Sequence, residues 1–374
     1  MHRIVILGAG YAGMLTAVSL VGRTRRRDDV AVTVVNATDR FTERLRLHRV
    51  ATGQRLQHLG IRQLVDDLEV GWVTGIDLTQ RTVRIDDERE IGYDTLVYPL
   101  GGSADTASVP GAADHAYTLD SADGAELFAR RLGELSEGRV LVCGGGLTGL
   151  EAATEIAERF PQLTVTLLGR AGPGKDLGPK ARDHMRSALR RLCVSVEVAE
   201  IAAVRRDGAT LTGGRRIPAD VILMTSGVRV SPLASTAGLT VDDHGRIVTD
   251  ATLRSVSHPS VYAVGDSAAI TQRYGVMHGT CQGGMPTGAH AAAQIARELN
   301  GRQPRPFRFG YYHSPISLGR GDAVVQFTHA DGSPGRAALT GRAAVWYKET
   351  VSSTPWPVFR RALRLPASAM VWRP

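Results

Sequence analysis

At 374 residues, 43% hydrophobic and 22% charged, the chain has an ordinary globular composition and is long enough for two or three domains. Its net charge of +8 comes almost wholly from arginine, with lysine only at Lys175, Lys180 and Lys348, and it lacks the basic stripe with interleaved aromatics of a nucleic-acid binder. Three scattered cysteines, Cys143, Cys193 and Cys281, exclude a disulfide framework and any CxxC motif, and no apolar run reaches the ~18–20 residues needed to span a bilayer.

The N-terminus opens a strand at residue 3 rather than a signal peptide, which points to the cytoplasm. Ile4–Leu7 reads as a buried parallel strand, Gly8, Gly10 and Gly13 follow, and Met14–Val21 reads as a helix. This is the dinucleotide fingerprint in its proper context. Gly8 permits the tight turn, Gly10 admits a pyrophosphate, and Gly13 lets helix and strand pack closely. Ala31–Val35 is the next strand, ending at Asn36, where such units place a group on the adenosine ribose. The segment 39–55 is polar for one beside a cofactor, with Arg44, Arg46 and His48. Short strands are predicted at Val70–Thr74, Thr82–Asp86 and Thr95–Tyr98, with turns at Gly75 and Gly92, and Gly101-Gly102 closes the unit.

The pattern then repeats. Arg139–Cys143 is a strand, Gly144, Gly146 and Gly149 form a second fingerprint, Leu150–Phe160 is a helix and Leu163–Leu168 a strand. The acid position of this copy falls at Gly169, and Arg170 follows. A glycine there removes repulsion toward a 2′-phosphate and a guanidinium can pair with it, so NADPH is favoured over NADH. A helix at Arg182–Leu192 and strands at Val194–Val198, Gly208–Leu211 and Val221–Thr225 follow, ending at Ser226-Gly227. Cys143 and Cys193 are read as buried structural residues within strands.

Farther on, Val261–Asp266 is a buried strand ending Gly265-Asp266, Gln272–Met285 is a loop, and a helix is predicted from Pro286 to Leu299, with proline at its first position. The last part, 307–374, carries strand-like stretches at Ala323–Thr328 and Ala343–Lys348 and the tryptophans Trp346, Trp356 and Trp372. Phe359–Leu365 reads as a terminal helix packed on the body or a partner, with an interfacial membrane foot as the competing reading.

Two fingerprints, a strand ending Gly-Asp and a following helix resemble the two-dinucleotide-binding-domain FAD/NAD(P) pyridine nucleotide oxidoreductases. Within them the chain is similar to the type II NADH dehydrogenase (NADH:quinone oxidoreductase) branch, through Phe41–Gly53, Tyr93–Tyr98 and Pro315–Val325. The resemblance implies an α/β fold with two Rossmann-like domains, the second inserted in the first, plus a C-terminal α+β region. The expected divisions are 1–115 and 236–305 for FAD, 116–235 for NAD(P) and 306–374 for the C-terminal part. It implies FAD over Gly8, Gly10, Tyr11, Ala12 and Gly13, with Asn36, Arg44, Val73, Gly101, Gly265, Asp266, Met285 and Pro286 around it. It implies NADPH or NADH over Gly144, Gly146, Leu147, Thr148 and Gly149, with Arg170 and Gly227 nearby. Glu151 matches an acid near nicotinamide and flavin, and His48 and Arg46 are the catalytic candidates on the acceptor side.

Two departures from the family pattern matter. There is no CxxxxC beside the flavin, so electrons do not pass through a protein disulfide, and no metal site is expected. The glutamine pair of the quinone-reducing branch is replaced by Pro286 and Thr287. The expected function is an NAD(P)H oxidoreductase that passes a hydride to FAD and on to a quinone-like or conjugated carbonyl acceptor. The alternatives are a reductase feeding a protein carrier and a flavin-dependent redox sensor. The expected partner is a small-molecule acceptor, with no nucleic acid; peripheral membrane contact and oligomeric state are left open.

Overall fold

In the computed structural model, which describes residues 1–365, β1 (His2–Leu7) is buried over its last four residues, as a central parallel strand must be. It leads through the first glycines into α1 (Tyr11–Thr24) and then β2 (Val30–Asn36). A tight turn at Arg44–Arg46 runs into the one-turn helix α2 (Leu47–Val50). The strand predicted at Val70–Thr74 is in fact two. β3 (Leu68–Val70) pairs in parallel with β2, and after a corner held by Asp86 on the Trp72 amide, β4 (Val73–Asp77) joins a separate antiparallel sheet with β5 (Thr82–Ile85) and β6 (Arg89–Gly92). Gly75 therefore lies inside β4 at a bulge and Gly92 inside β6, not in turns. β7 (Thr95–Tyr98) returns beside β1, and β8 (Gly102–Ala104) leaves the unit.

The second unit contains β9 (Tyr117–Thr118), α3 (Ala122–Gly133), β10 (Gly138–Cys143), α4 (Leu147–Arg159), β11 (Leu163–Gly169), α5 (Pro179–Arg191), β12 (Ser195–Val198) and β13 (Val221–Met224). Its parallel sheet has the order β12-β11-β10-β13-β9. Cys143 is buried in β10 as expected, but Cys193 is not in a strand; it is exposed in a turn with φ +54°. The chain leaves through β14 (Val228–Val230), which pairs antiparallel with β8, so the two crossings between the sheets form one ribbon.

β15 (Val261–Ala263) then completes the first sheet on the far side of β7, giving the order β15-β7-β1-β2-β3. The following helix, α6 (Cys281–Glu298), starts five residues before the predicted Pro286. Thr280 caps it by accepting the Gly283 amide at 3.1 Å, and Pro286 is accommodated inside the first turns. α6 packs tightly on α1: a Cβ on Gly288 would lie 2.3 Å from the Ala12 carbonyl oxygen.

The C-terminal part is an antiparallel sheet of β16 (His313–Ser317), β17 (Ala323–Thr328) and β18 (Pro334–Thr340), followed by α7 (Gly341–Ser353) and α8 (Pro355–Arg364). The predicted strand at Ala343–Lys348 is thus helical. Alternating Ala343, Val345 and Tyr347 mimic a strand, but the buried face is Ala344, Lys348 and Ser352 at helical spacing. The terminal helix is present as α8, where Phe359 is fully buried against Phe41, with ring centroids 5.3 Å apart, and beside Trp356. Trp372 lies outside the described residues.

One packing detail positions the site. Leu47, Val50 and Ala51 belong not to the core of the first sheet but to that of the second, with Phe128, Leu150 and Ala153. The segment after β2 therefore bridges the two units.

Candidate functional site

Both glycine loops have the same local geometry. Gly8 has φ +98° and Gly144 φ +139°. A Cβ on Gly13 would sit 1.9 Å from the Gly8 carbonyl oxygen, and one on Gly149 the same 1.9 Å from that of Gly144. In contrast, a Cβ on Gly10 or Gly146 would meet nothing within 4 Å. In each loop the first glycine is required by its positive φ and the last by close packing, while the middle one faces open space at a helix start. A phosphate group fits such a place, because free N–H groups converge on it and no side chain fills it.

Around the first loop, the Asn36 carboxamide oxygen accepts the Ala9 amide at 2.9 Å and its NH2 donates to the Thr38 carbonyl at 2.8 Å, so this side chain braces the loop. Tyr11 and Ala12 are buried at the start of α1; the Tyr11 hydroxyl accepts the Leu45 amide, and Ala12 packs under Gly265. Asp266 follows β15 in a short turn, facing Met277, Gly279 and Thr280 across a cleft. Burial pushes its carboxyl up and the Arg44 charge pulls it down. Arg44 donates to the Gly102 carbonyl at 2.8 Å, lies 3.2 Å from Asp120, and runs past Gly101, so it ties the post-β2 segment to the crossing ribbon. Val73 opens β4 as the partner of Ile85; Pro286 is buried and Met285 half-buried in α6. His278 stacks on Tyr311 at 4.1 Å beside the same cleft, and nothing in the sequence signals that pair.

Around the second loop, Leu147 and Thr148 are exposed at the start of α4. Arg170, just past β11, is largely exposed and 3.9 Å from Glu200. Gly227, with φ +74°, nests against Asp105 of the ribbon region.

Between the loops lies a buried charged cluster. His48 is 3% exposed, Glu155 1% and Lys348 5%. An ammonium has three donors and no acceptor. Those of Lys348 are matched by Ser317 Oγ at 2.6 Å, Glu151 Oε1 at 3.1 Å and His48 Nε2 at 3.3 Å. The Ser317 amide also donates to Glu151 Oε1, at 3.0 Å. Because Lys348 offers only hydrogens, His48 Nε2 is the acceptor and its proton sits on Nδ1, 3.6 Å from Glu151 Oε2. Burial and the surrounding Lys348, Arg320 and Arg49 hold His48 well below the usual imidazole range. Arg46 pairs with Glu43 at 3.2 Å and Glu349 at 3.5 Å on the outer side.

Of the predicted catalytic candidates, His48 on α2 and Glu151 on α4 are thus brought together with Lys348 of α7, whereas Arg46, in the turn before α2, faces Glu43 and Glu349 on the outer side. Sequence reading missed Lys348, Glu155 and Ser317. A signal for Glu155 was present: Glu151, Glu155 and Glu158 recur at helical spacing along one face of α4. No signal marked Lys348, because its partners lie far away in the chain. Among the described residues no cluster of side chains could hold a metal ion.

The family described as pyridine nucleotide-disulphide oxidoreductase matches residues 2–296. An NADH dehydrogenase-like protein of Mycobacterium tuberculosis is 28% identical over 388 residues, covering 94% of each chain. A type II NADH:quinone oxidoreductase of the same organism is 28% identical, covering 87% of this chain and 78% of that one. Among solved structures, the sulfide:quinone oxidoreductase of Aquifex aeolicus superposes with a TM-score of 0.82 at 16% identity, covering 98% of this chain and 93% of that one.

Proposed function

The chain belongs to the pyridine nucleotide-disulphide oxidoreductase family, and we propose that within it the chain passes a hydride from NADPH through FAD to a quinone-like or conjugated carbonyl acceptor. It is an NADH dehydrogenase-like enzyme whose cofactors are FAD and a nicotinamide nucleotide. The observation that carries the reading is the pair of matched glycine loops bridged by one polar segment, Arg44 to His48.

FAD would lie over Gly8–Gly13, its pyrophosphate at the open face of Gly10, with Asp266 and the start of α6 on its other side. The nicotinamide nucleotide would lie over Gly144–Gly149. We assign residues 1–115 and 236–305 to the first site, 116–235 to the second and 306–374 to the wall that carries Lys348. When bound, FAD supplies a ring that accepts a hydride on one side and yields it to the acceptor. The protein orients the partners, and the start of α6, about half a positive charge, favours the negative charge that reduction leaves. Glu151 is fixed by Ser317 and Lys348 at the first turns of α4, where it can hold a proton for a reduced acceptor oxygen. No helix among the described residues is long and apolar enough to cross a membrane.

Reduced holoenzyme discharged rapidly by a small quinone supports this reading. Discharge only by an acidic protein carrier, which the charge of +8 would attract, would replace it with the carrier reading. For the nicotinamide, Arg170→Ala is expected to raise the KM for NADPH by about 10- to 100-fold, the worth of one charged hydrogen bond, and leave that for NADH near its starting value. Equal KM changes for both cofactors would remove Arg170 from the 2′-phosphate.

A further inference from the structure

A dinucleotide unit ordinarily ends its second strand on an acid, whose carboxylate takes the adenosine 2′-hydroxyl of NADH and repels the 2′-phosphate of NADPH. Here β11 ends on Gly169, and the reason is steric. A Cβ at that position would lie 2.9 Å from the Gly145 amide nitrogen and 3.1 Å from the Gly145 Cα. The strand end is pressed against the glycine loop and has no room for a side chain. The neighbouring strand supplies what is missing. β12 runs parallel to β11 with Val198 level with Gly169, and the Ala199 amide donates to the Gly169 carbonyl at 3.0 Å. Glu200 comes next. Its carbonyl accepts the Thr212 amide at 2.9 Å, which fixes its backbone. Its carboxylate lies 3.9 Å from the Arg170 guanidinium, and both side chains are largely exposed.

We propose that Glu200 reads the adenosine 2′ position in place of the acid that Gly169 cannot be, and that its opposition to Arg170 makes the site accept NADH as well as NADPH. The inference rests on the reductase reading and deepens it, because it names how the nucleotide is selected.

The two side chains act in opposite senses on one substituent. Toward NADH, the Glu200 carboxylate is an acceptor for the free 2′-hydroxyl. Toward NADPH, the Arg170 guanidinium donates to the 2′-phosphate, while Glu200 repels that phosphate and competes for the same guanidinium. At 3.9 Å the pair is too long for a hydrogen bond, so the donors of one and the acceptors of the other stay available to a nucleotide. An ion pair this exposed adds almost nothing to stability, so holding the fold together does not account for it. Sequence reading found Arg170 because it follows Gly169 directly. Glu200 escaped because 31 residues separate it from Gly169 and only the pairing of β11 with β12 brings the two together.

Calorimetric titration of FAD-loaded protein with NADP+ and with NAD+ tests this without turnover. Wild-type protein is expected to bind both with similar Kd. Glu200→Gln is expected to tighten NADP+ by about tenfold, since the repulsion goes, and the gain should shrink at high salt. Glu200→Ala is expected to weaken NAD+ by about tenfold, the worth of a hydrogen bond to a charged group, with Tm unchanged in both variants. Adding Arg170→Ala to Glu200→Gln should abolish the gain for NADP+. A ratio of the two Kd values that neither Glu200 variant moves would overturn the proposal, as would wild-type protein that binds NADP+ alone. If both nucleotides bind and shift as expected but neither bleaches the flavin, the reductase reading fails and the selection by Glu200 stands.

Discussion

Gly149→Ala is expected to give a yellow protein whose flavin NADPH no longer bleaches at a useful rate. The added methyl would lie 1.9 Å from the Gly144 carbonyl oxygen and 2.7 Å from Thr225 Oγ1, so either α4 or the loop must move. A displacement of this order at a positioning element costs at least about a hundredfold in rate. FAD retention is expected to survive, because the first loop belongs to a different sheet. Gly13→Ala is the mirror experiment. Its methyl meets the Gly8 oxygen at the same 1.9 Å, and the expected product is colourless. Gly146→Ala separates damage to the fold from damage to the site. Its methyl enters open space, so Tm should hold while NADPH binding weakens. Bleaching at the wild-type rate by Gly149→Ala would mean that this loop is only a structural turn.

Lys348→Met is expected to lower stability by about 3–5 kcal/mol, the cost of removing one partner from a buried ion pair. The loss strands Glu151, leaves Ser317 Oγ without its 2.6 Å donor and empties the contact at His48 Nε2. Measured by urea unfolding, Glu151→Gln in the same background should return most of that loss, since it removes the uncompensated charge. If the double variant is no more stable than Lys348→Met alone, the two groups are not coupled and the cluster has been misread. The pair also joins α7 to α4, so its removal should loosen the C-terminal part before the sheets.

Both variants act on features of unequal legibility. The glycine loops could be read from sequence because their constraint is local: a tight turn, an open face and a close helix are all set within ten residues. The parallel strands followed, since β1, β10 and β13 are continuous apolar runs. Reading failed where two signals competed. At Ala343–Lys348 an alternating apolar pattern hid a helix whose buried face includes a lysine, and a buried lysine makes sense only once Glu151 and Ser317 are in place. At α6 the attraction of Pro286 as a first residue outweighed Thr280, which is the actual cap. At Gly75 a turn residue proved to sit at a bulge, where β4 shifts register against β5. Within the site, Arg44, Arg46 and His48 stood out as polar residues in a segment that also carries core positions. Their destinations did not: Arg44 ties the crossing ribbon, Arg46 meets Glu349, and His48 enters the α4 cluster.

The central claim is that one chain holds a nicotinamide nucleotide and FAD so that a hydride passes between them. Anaerobic stopped-flow mixing of FAD-loaded protein with one equivalent of NADPH tests it most directly. Full flavin bleaching in a single exponential, with colour returning when a small quinone is added, is the result the two matched loops predict. Flavin that stays oxidised with both NADPH and NADH would contradict it.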